Sequence, residues 1–76
     1  MNYIEINPKI LQGKPVIKGT RISVEYIIAT LAQGVSIEEI LMEYNGLKKE
    51  EILACLHYAE GILEKTSTFD LDKIAS

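Results

Sequence analysis

Few residues in this chain could carry catalysis, and their spacing argues against it. Cys55 and His57 invite a metal reading. Two positions apart on a helix they diverge, and no further ligand cluster accompanies them, so no zinc site is expected. His57 reads instead as a surface or interface residue, and Cys55 as a small hydrophobe on a helix flank. The adjacent carboxylates Glu38-Glu39 and Glu50-Glu51 point apart on a helix and do not form acid–base dyads. A Ser/His/Asp set, a Gly-rich phosphate loop and an acid cluster for magnesium are all missing from the sequence. No catalytic residue, cofactor, metal or small-molecule substrate is therefore expected, and the chain does not read as an enzyme. What remains is phosphate contact. Lys14, Lys18, Thr20 and Arg21 cluster around Gly19, which lets backbone approach closely. Arg21, the only arginine, could instead pair with a glutamate of its own chain, leaving the hairpin as a dimer seam.

Seventy-six residues make one domain with a marginal core, for which a dimer or a partner protein is a fair expectation. Hydrophobic residues at 47% and charged residues at 25% suit a globular domain. The apolar runs are far shorter than a membrane span, and no basic start leads into an apolar stretch, which predicts neither membrane insertion nor a signal peptide. A single cysteine cannot staple the fold, and the expected compartment is cytoplasmic. The net charge of -3 is unevenly spread: residues 1–21 hold four cations against one acid, a local +3, and the remainder four lysines against ten acids, a local -6. Such a basic arm suits phosphate or an acidic partner surface.

The elements that must position these groups follow from capping and periodicity. Asn2 to Ile6 alternates as a short strand, with Ile4 and Ile6 on one side. Asn7-Pro8 predicts one helical turn through Leu11, stopped at Gly13. Pro15-Val16-Ile17 and Arg21-Ile22 are extended pieces around the Lys18-Gly19-Thr20 turn, pairing with Asn2–Ile6 or with a second copy. Ser23 opens a helix stapled by Ile22 and Ile27, with Val24, Ile27, Ile28 and Leu31 inward and Tyr26, Ala29 and Gln33 outward, and Gly34 stops it. Ser36-Ile37-Glu38-Glu39 is a capping box, with Val35 and Ile40 as its staple. Ile37, Ile40, Leu41 and Tyr44 share one face. Asn45-Gly46-Leu47 breaks the run, Gly46 supplying a left-handed exit. The last helix carries Ile52, Leu56, Ala59 and Leu63 as its inner stripe, with Leu53 on one flank and Cys55, Tyr58 and Ile62 on the other. A helix apolar on that much of its circumference is covered on two sides, by its own core and by another chain. Helices over roughly 24–33, 37–44 and 48–65 thus form a trihelical unit whose last pair has a helix-turn-helix outline.

The run GKPVIKGTRISVEYIIATLAQGVSIEEILMEYNGL, preceded by Asn7-Pro8-Lys9-Ile10 and followed by Glu50-Glu51-Ile52, resembles the small prokaryotic family called domain of unknown function 433. The resemblance covers about Ile6 to Ile62, and Gly13 to Ile22 is its most specific block. It implies a homeodomain-like helix-turn-helix fold. Its members often stand beside a gene for a PIN-like nuclease, and some are VapB-type antitoxins, which implies an antitoxin that neutralises a toxin ribonuclease and represses its own operon. Family members commonly place Thr after the leucine of the turn, where it would cap the third helix. Here Lys48 and Lys49 follow Leu47, so a side-chain cap is lost at a cost of about 0.5–1 kcal/mol, and two cations stand where phosphates would pass.

The expectation is a mainly α, three-helix helix-turn-helix domain over residues 1–65, with a short β arm (1–22) and a C-terminal tail (66–76). Lys14, Lys18, Thr20, Arg21, Lys48 and Lys49 are the candidate DNA contacts. Tyr58, Ile62, Phe69, Leu71 and Ile74 are the candidate partner contacts, with Asp70 and Asp72 set to meet basic groups of a PIN-like ribonuclease. A homodimer through the N-terminal element, and through the third helix, completes the picture. The outward face of the third helix (Glu50, Ala54, His57, Gly61) has few groups able to read base edges. The alternative is a protein–protein interaction module that never touches DNA.

Overall fold

Near the start of the chain Ile4–Glu5 (β1) pairs antiparallel with Val16–Ile17 (β2), Ile4 opposite Ile17 and Glu5 opposite Val16. The pairing lies within one chain, the first of the two partners the sequence left open. The computed structural model describes residues 2–66, in the order β1, β2, Val24–Ala32 (α1), Ile37–Glu43 (α2) and Lys49–Thr66 (α3). Between the strands the chain runs through a 3-10 turn, Leu11–Gly13. Leu11 and Gln12 take positive φ (48° and 59°), a left-handed conformation that the sequence pattern did not announce. Asn7 does cap the stretch before it, its Oδ1 accepting the Lys9 amide at 2.9 Å.

Both predicted helix starts are present. Ser23 Oγ accepts the Tyr26 amide (2.9 Å), and Ser36 and Glu39 form the reciprocal capping box at 3.1 and 2.9 Å. At the end of α1, Gly34 (φ 95°) lets the chain reverse, with Val35 N–H bonded to Thr30 C=O and Gly34 N–H to Leu31 C=O, the paired bonds of a Schellman motif. The α2–α3 turn is built differently from the expectation. Neither Asn45 nor Gly46 has positive φ; the helix ends as Tyr44 becomes extended, and Leu47 N–H closes the turn onto Tyr44 C=O at 3.0 Å.

α3 is the hub, touching β1, α1 and α2. The core joins Ile17, Val24, Ile27, Ile40, Ile52 and Cys55, and no polar side chain is buried among the described residues. This corrects the expected stripe of the last helix. Ile52 does face inward, but Leu56 is 40% and Leu63 63% exposed, while Cys55 is fully buried. The helix is rolled so that Cys55 and the half-buried Tyr58 pack inward. The physical reason lies at β1, whose Ile4 packs on the same cluster and draws the Cys55 side of α3 inward. Ile6, expected to share Ile4's shelter, is 59% exposed, because the strand ends before it. No described helix is long and apolar enough to cross a membrane.

Candidate nucleic-acid interface and apolar grooves

The six candidate phosphate contacts fall into three roles. Lys14 Nζ lies 3.0 Å from Glu25 Oε1 at the first turn of α1, both side chains largely exposed, so this ion pair contributes little to stability. Thr20 builds its own turn: the hydroxyl donates to Ile17 C=O (2.7 Å) and accepts the Ile22 amide (3.0 Å), while Gly19 at φ 81° permits the reversal. Lys18, Arg21, Lys48 and Lys49 are exposed, and the ion pairs among the described residues, Lys14–Glu25 and His57–Glu60, leave all four out.

Two shallow clefts bring part of this set together. One runs between Lys18-Gly19-Thr20 and the α2–α3 turn, with Asn45, Gly46 and Leu47 on its far wall. Lys48 follows Leu47 in the chain without lining the cleft itself. The other holds Arg21 beside Ser23, Tyr26 and Tyr44, and Ile22 and Tyr44 line both. The hairpin cations and the start of α3 are thus neighbours across the helix-turn-helix corner. Glu43 and Glu51 share the first cleft, so its lining carries two acids against the single cation Lys18.

Sequence reasoning missed two features of this corner. Tyr26 and Tyr44, eighteen residues apart, meet edge to face with ring centroids 6.5 Å apart, and the Tyr44 hydroxyl donates to that of Tyr26 at 3.2 Å. The hydrogen bond to Tyr26 pushes the Tyr44 phenol up to about 12, with desolvation and the nearby Glu43 charge adding to it. A phenol has one proton, so Tyr26 keeps its own for an outside acceptor. The second feature is the start of α3. Glu51 reaches back and accepts the Lys48 amide at 2.8 Å, half of a capping box, so the helix is better terminated than the loss of a Ser or Thr suggests. Glutamate three residues after the cap position was the available signal.

The candidate partner residues lie elsewhere. Tyr58 is half-buried and Ile62 is 44% exposed, and both line a groove of about 440 Å³ between α1 and the later half of α3, with Val24, Ile28 and Ala59. Phe69, Leu71 and Ile74, with Asp70 and Asp72, lie outside the described residues. A larger groove of about 780 Å³ runs between β1 and the first half of α3, lined by Tyr3, Ile4, Ile6, Leu53, Ala54 and Tyr58, with Glu50 and His57 also on its walls. Cys55 and His57 face opposite ways, the thiol buried and the imidazole exposed. Burial first, and then the Glu51 charge, push the Cys55 thiol up to about 11, which keeps it protonated at neutral pH.

A family model described as "Protein of unknown function (DUF433)" matches residues 4–59. A crystal structure of a DUF433 member from Anabaena variabilis ATCC 29413 superposes with a TM-score of 0.79 at 37% identity, covering 86% of this chain and 64% of that one. The uncharacterized protein y4eO of Sinorhizobium fredii (strain NBRC 101917 / NGR234) is 41% identical over 54 residues. That match takes in 71% of this chain but only 24% of the relative, so the chain spans about a quarter of its length.

Proposed function

Since the chain belongs to the DUF433 family, whose function is unknown, we propose a role from its own surface: a small helix-turn-helix regulator of antitoxin type, acting by binding and not by catalysis. It holds a nucleic-acid backbone at the helix-turn-helix corner and sequesters a protein partner, in the family reading a PIN-like ribonuclease, on its apolar faces. The observation that carries this reading is that Lys18 and Arg21 line the two clefts at that corner while Lys48 and Lys49 open α3 directly after Leu47 of the cleft wall, all four exposed and none in an ion pair among the described residues, on a chain of net charge -3. Phosphate contacts of this kind position a protein on a duplex without reading its sequence. A gel-shift salt series on the chain's own promoter fragment tests it. Four phosphate contacts lower affinity about 100-fold between 50 and 200 mM salt. Lys18→Glu with Arg21→Glu removes the shift, whereas no shift by the unaltered chain at low salt refutes the DNA half.

A second reading, an interaction module without DNA binding, is favoured by the outward face of α3. There Leu53 and Leu56 are exposed beside Glu50, His57 and Glu60, a surface suited to a protein and poor in base-reading groups. Co-purification of the neighbouring gene product, together with a null gel shift, selects this reading. In both readings truncation after Lys65 abolishes the partner complex.

A further inference from the structure

The groove between β1 and α3 has the features of a strand-docking site. In the antiparallel pair Lys18 N–H bonds Tyr3 C=O at 2.8 Å, and Glu5 faces Val16. Backbone groups alternate along a strand, so Tyr3 and Glu5 direct theirs toward β2 and Ile4 directs its own to the open edge. Asn2 already exploits that edge, its Oδ1 accepting the Ile4 amide at 3.2 Å. The Ile4 carbonyl remains to receive a further strand, which would extend β1's edge toward Ile6.

The side chains beside that edge set the chemistry of the occupant. Leu53 and Ala54 floor the groove, and Ile6, 59% exposed, stands at its rim. Glu50 lines one end, and toward the other Glu60 lies beyond His57, with Oε1 3.9 Å from Nδ1. Ten helical residues separate the two carboxylates, about 15 Å along the axis at 1.5 Å per residue. An extended chain covers that distance in about four to five residues. Two copies meeting groove to groove bring the same carboxylates together, so charge disfavours that pairing and favours a cationic segment.

We propose that this groove takes an extended segment of a partner protein, added to the outer edge of β1, with an apolar side chain over Leu53 and Ala54 between two cations four residues apart, the even spacing that keeps all three on one face. The site deepens the partner-binding half of the function proposed above, and its failure leaves the gel-shift result untouched.

The experiment uses the full chain, nitrogen-15 labelled, and two blocked nine-residue peptides, Thr-Val-Lys-Thr-Ile-Thr-Lys-Val-Thr, whose two Lys and central Ile share one face of a strand, and the same sequence with Glu for both Lys. The lysine peptide shifts the amides of Ile6, Leu53, Ala54 and His57 and binds at least tenfold more tightly than its glutamate counterpart. Leu53→Lys, at a partly exposed position, abolishes binding of the lysine peptide with the fold retained. Glu50→Lys narrows or reverses the preference. Equal binding of the two peptides, shifts confined to other faces, or no shift at millimolar peptide overturns the proposal. Shifts of these same amides that grow with protein concentration alone assign the groove to a second copy and also overturn it.

Discussion

The roll of α3 can be tested by one pair of substitutions. Ile52 is fully buried where α3 meets the core, whereas Leu56, one turn on, is 40% exposed. Ile52→Ala removes buried methyl groups and leaves a cavity that its neighbours fill only in part, costing about 3–4 kcal/mol. Leu56→Ala forfeits only part of a side chain's transfer free energy, about 1 kcal/mol. A domain of this length has about 4–11 kcal/mol of stability in total, so the first change consumes a large share and the second does not. With about 4–8 °C per kcal/mol for a domain of this size, Ile52→Ala lowers Tm by about 12–30 °C and Leu56→Ala by well under 10 °C. Urea unfolding followed by far-UV circular dichroism measures both, and the slope must stay unchanged for the midpoints to report stability. Repeating the series at tenfold dilution separates a core contribution from one made by self-association. Equal costs at both positions, independent of dilution, refute the roll and restore Leu56 to the inner stripe.

Other outcomes follow from the caps, turns and titrating groups. Ser36→Ala removes the α2 cap and costs about 1 kcal/mol in the same urea assay. The Ser36 amide, and after it the hydroxyl, hold the Glu39 carboxyl below its ordinary value, so its contribution is present above the ordinary carboxylate range and is lost as pH falls through the depressed value; Ser36→Ala removes the hydroxyl's smaller share and keeps the amide's, so it flattens that part of the acid-unfolding curve only partly. Tyr26→Phe lets the Tyr44 phenol ionise closer to its ordinary pH, read as phenolate absorbance near 295 nm, whereas in the unaltered chain the stabilising bond persists below about pH 10 and is lost as pH rises through about 12. Cys55 reacts with a disulfide reagent at pH 8 only as fast as the chain unfolds, and rapid labelling of the native protein refutes its burial. Gln12→Gly relieves a left-handed residue and raises stability by about 0.5 kcal/mol in the urea assay.

Much of this architecture was legible because its signals are local. Ser23, Ser36 and Gly34 each act within a few residues of where they stand, and all three perform the predicted role. The inner faces of α1 and α2 also came through, with Val24, Ile27 and Ile40 buried as expected. The face of α3 did not. Ile52, Leu53, Cys55, Leu56 and Tyr58 offer a wide apolar arc, and the choice within it is made by β1, some fifty residues earlier in the chain. The meeting of Tyr26 with Tyr44 is equally remote, joining a residue expected outward to one expected inward. At the candidate interface Lys18, Arg21, Lys48 and Lys49 are exposed, as a phosphate contact requires. The sequence could not foretell that the Thr20 hydroxyl is spent on its own turn, because Thr next to Gly suits a ligand and a hairpin equally well.

The interior of the described residues contains only hydrocarbon and one thiol. Oily contacts are indifferent to orientation, so nothing inside the molecule penalises a small slip of one rod against another. Fidelity is instead guarded at the rims, where Ser36, Glu39, Glu51 and the hairpin hydroxyl tie backbone ends to fixed places. Swaps among Ile, Val, Leu and Met inside are absorbed quietly, whereas a single exchange at a tie point unsettles the arrangement. A search for variants with altered shape is best aimed at the periphery.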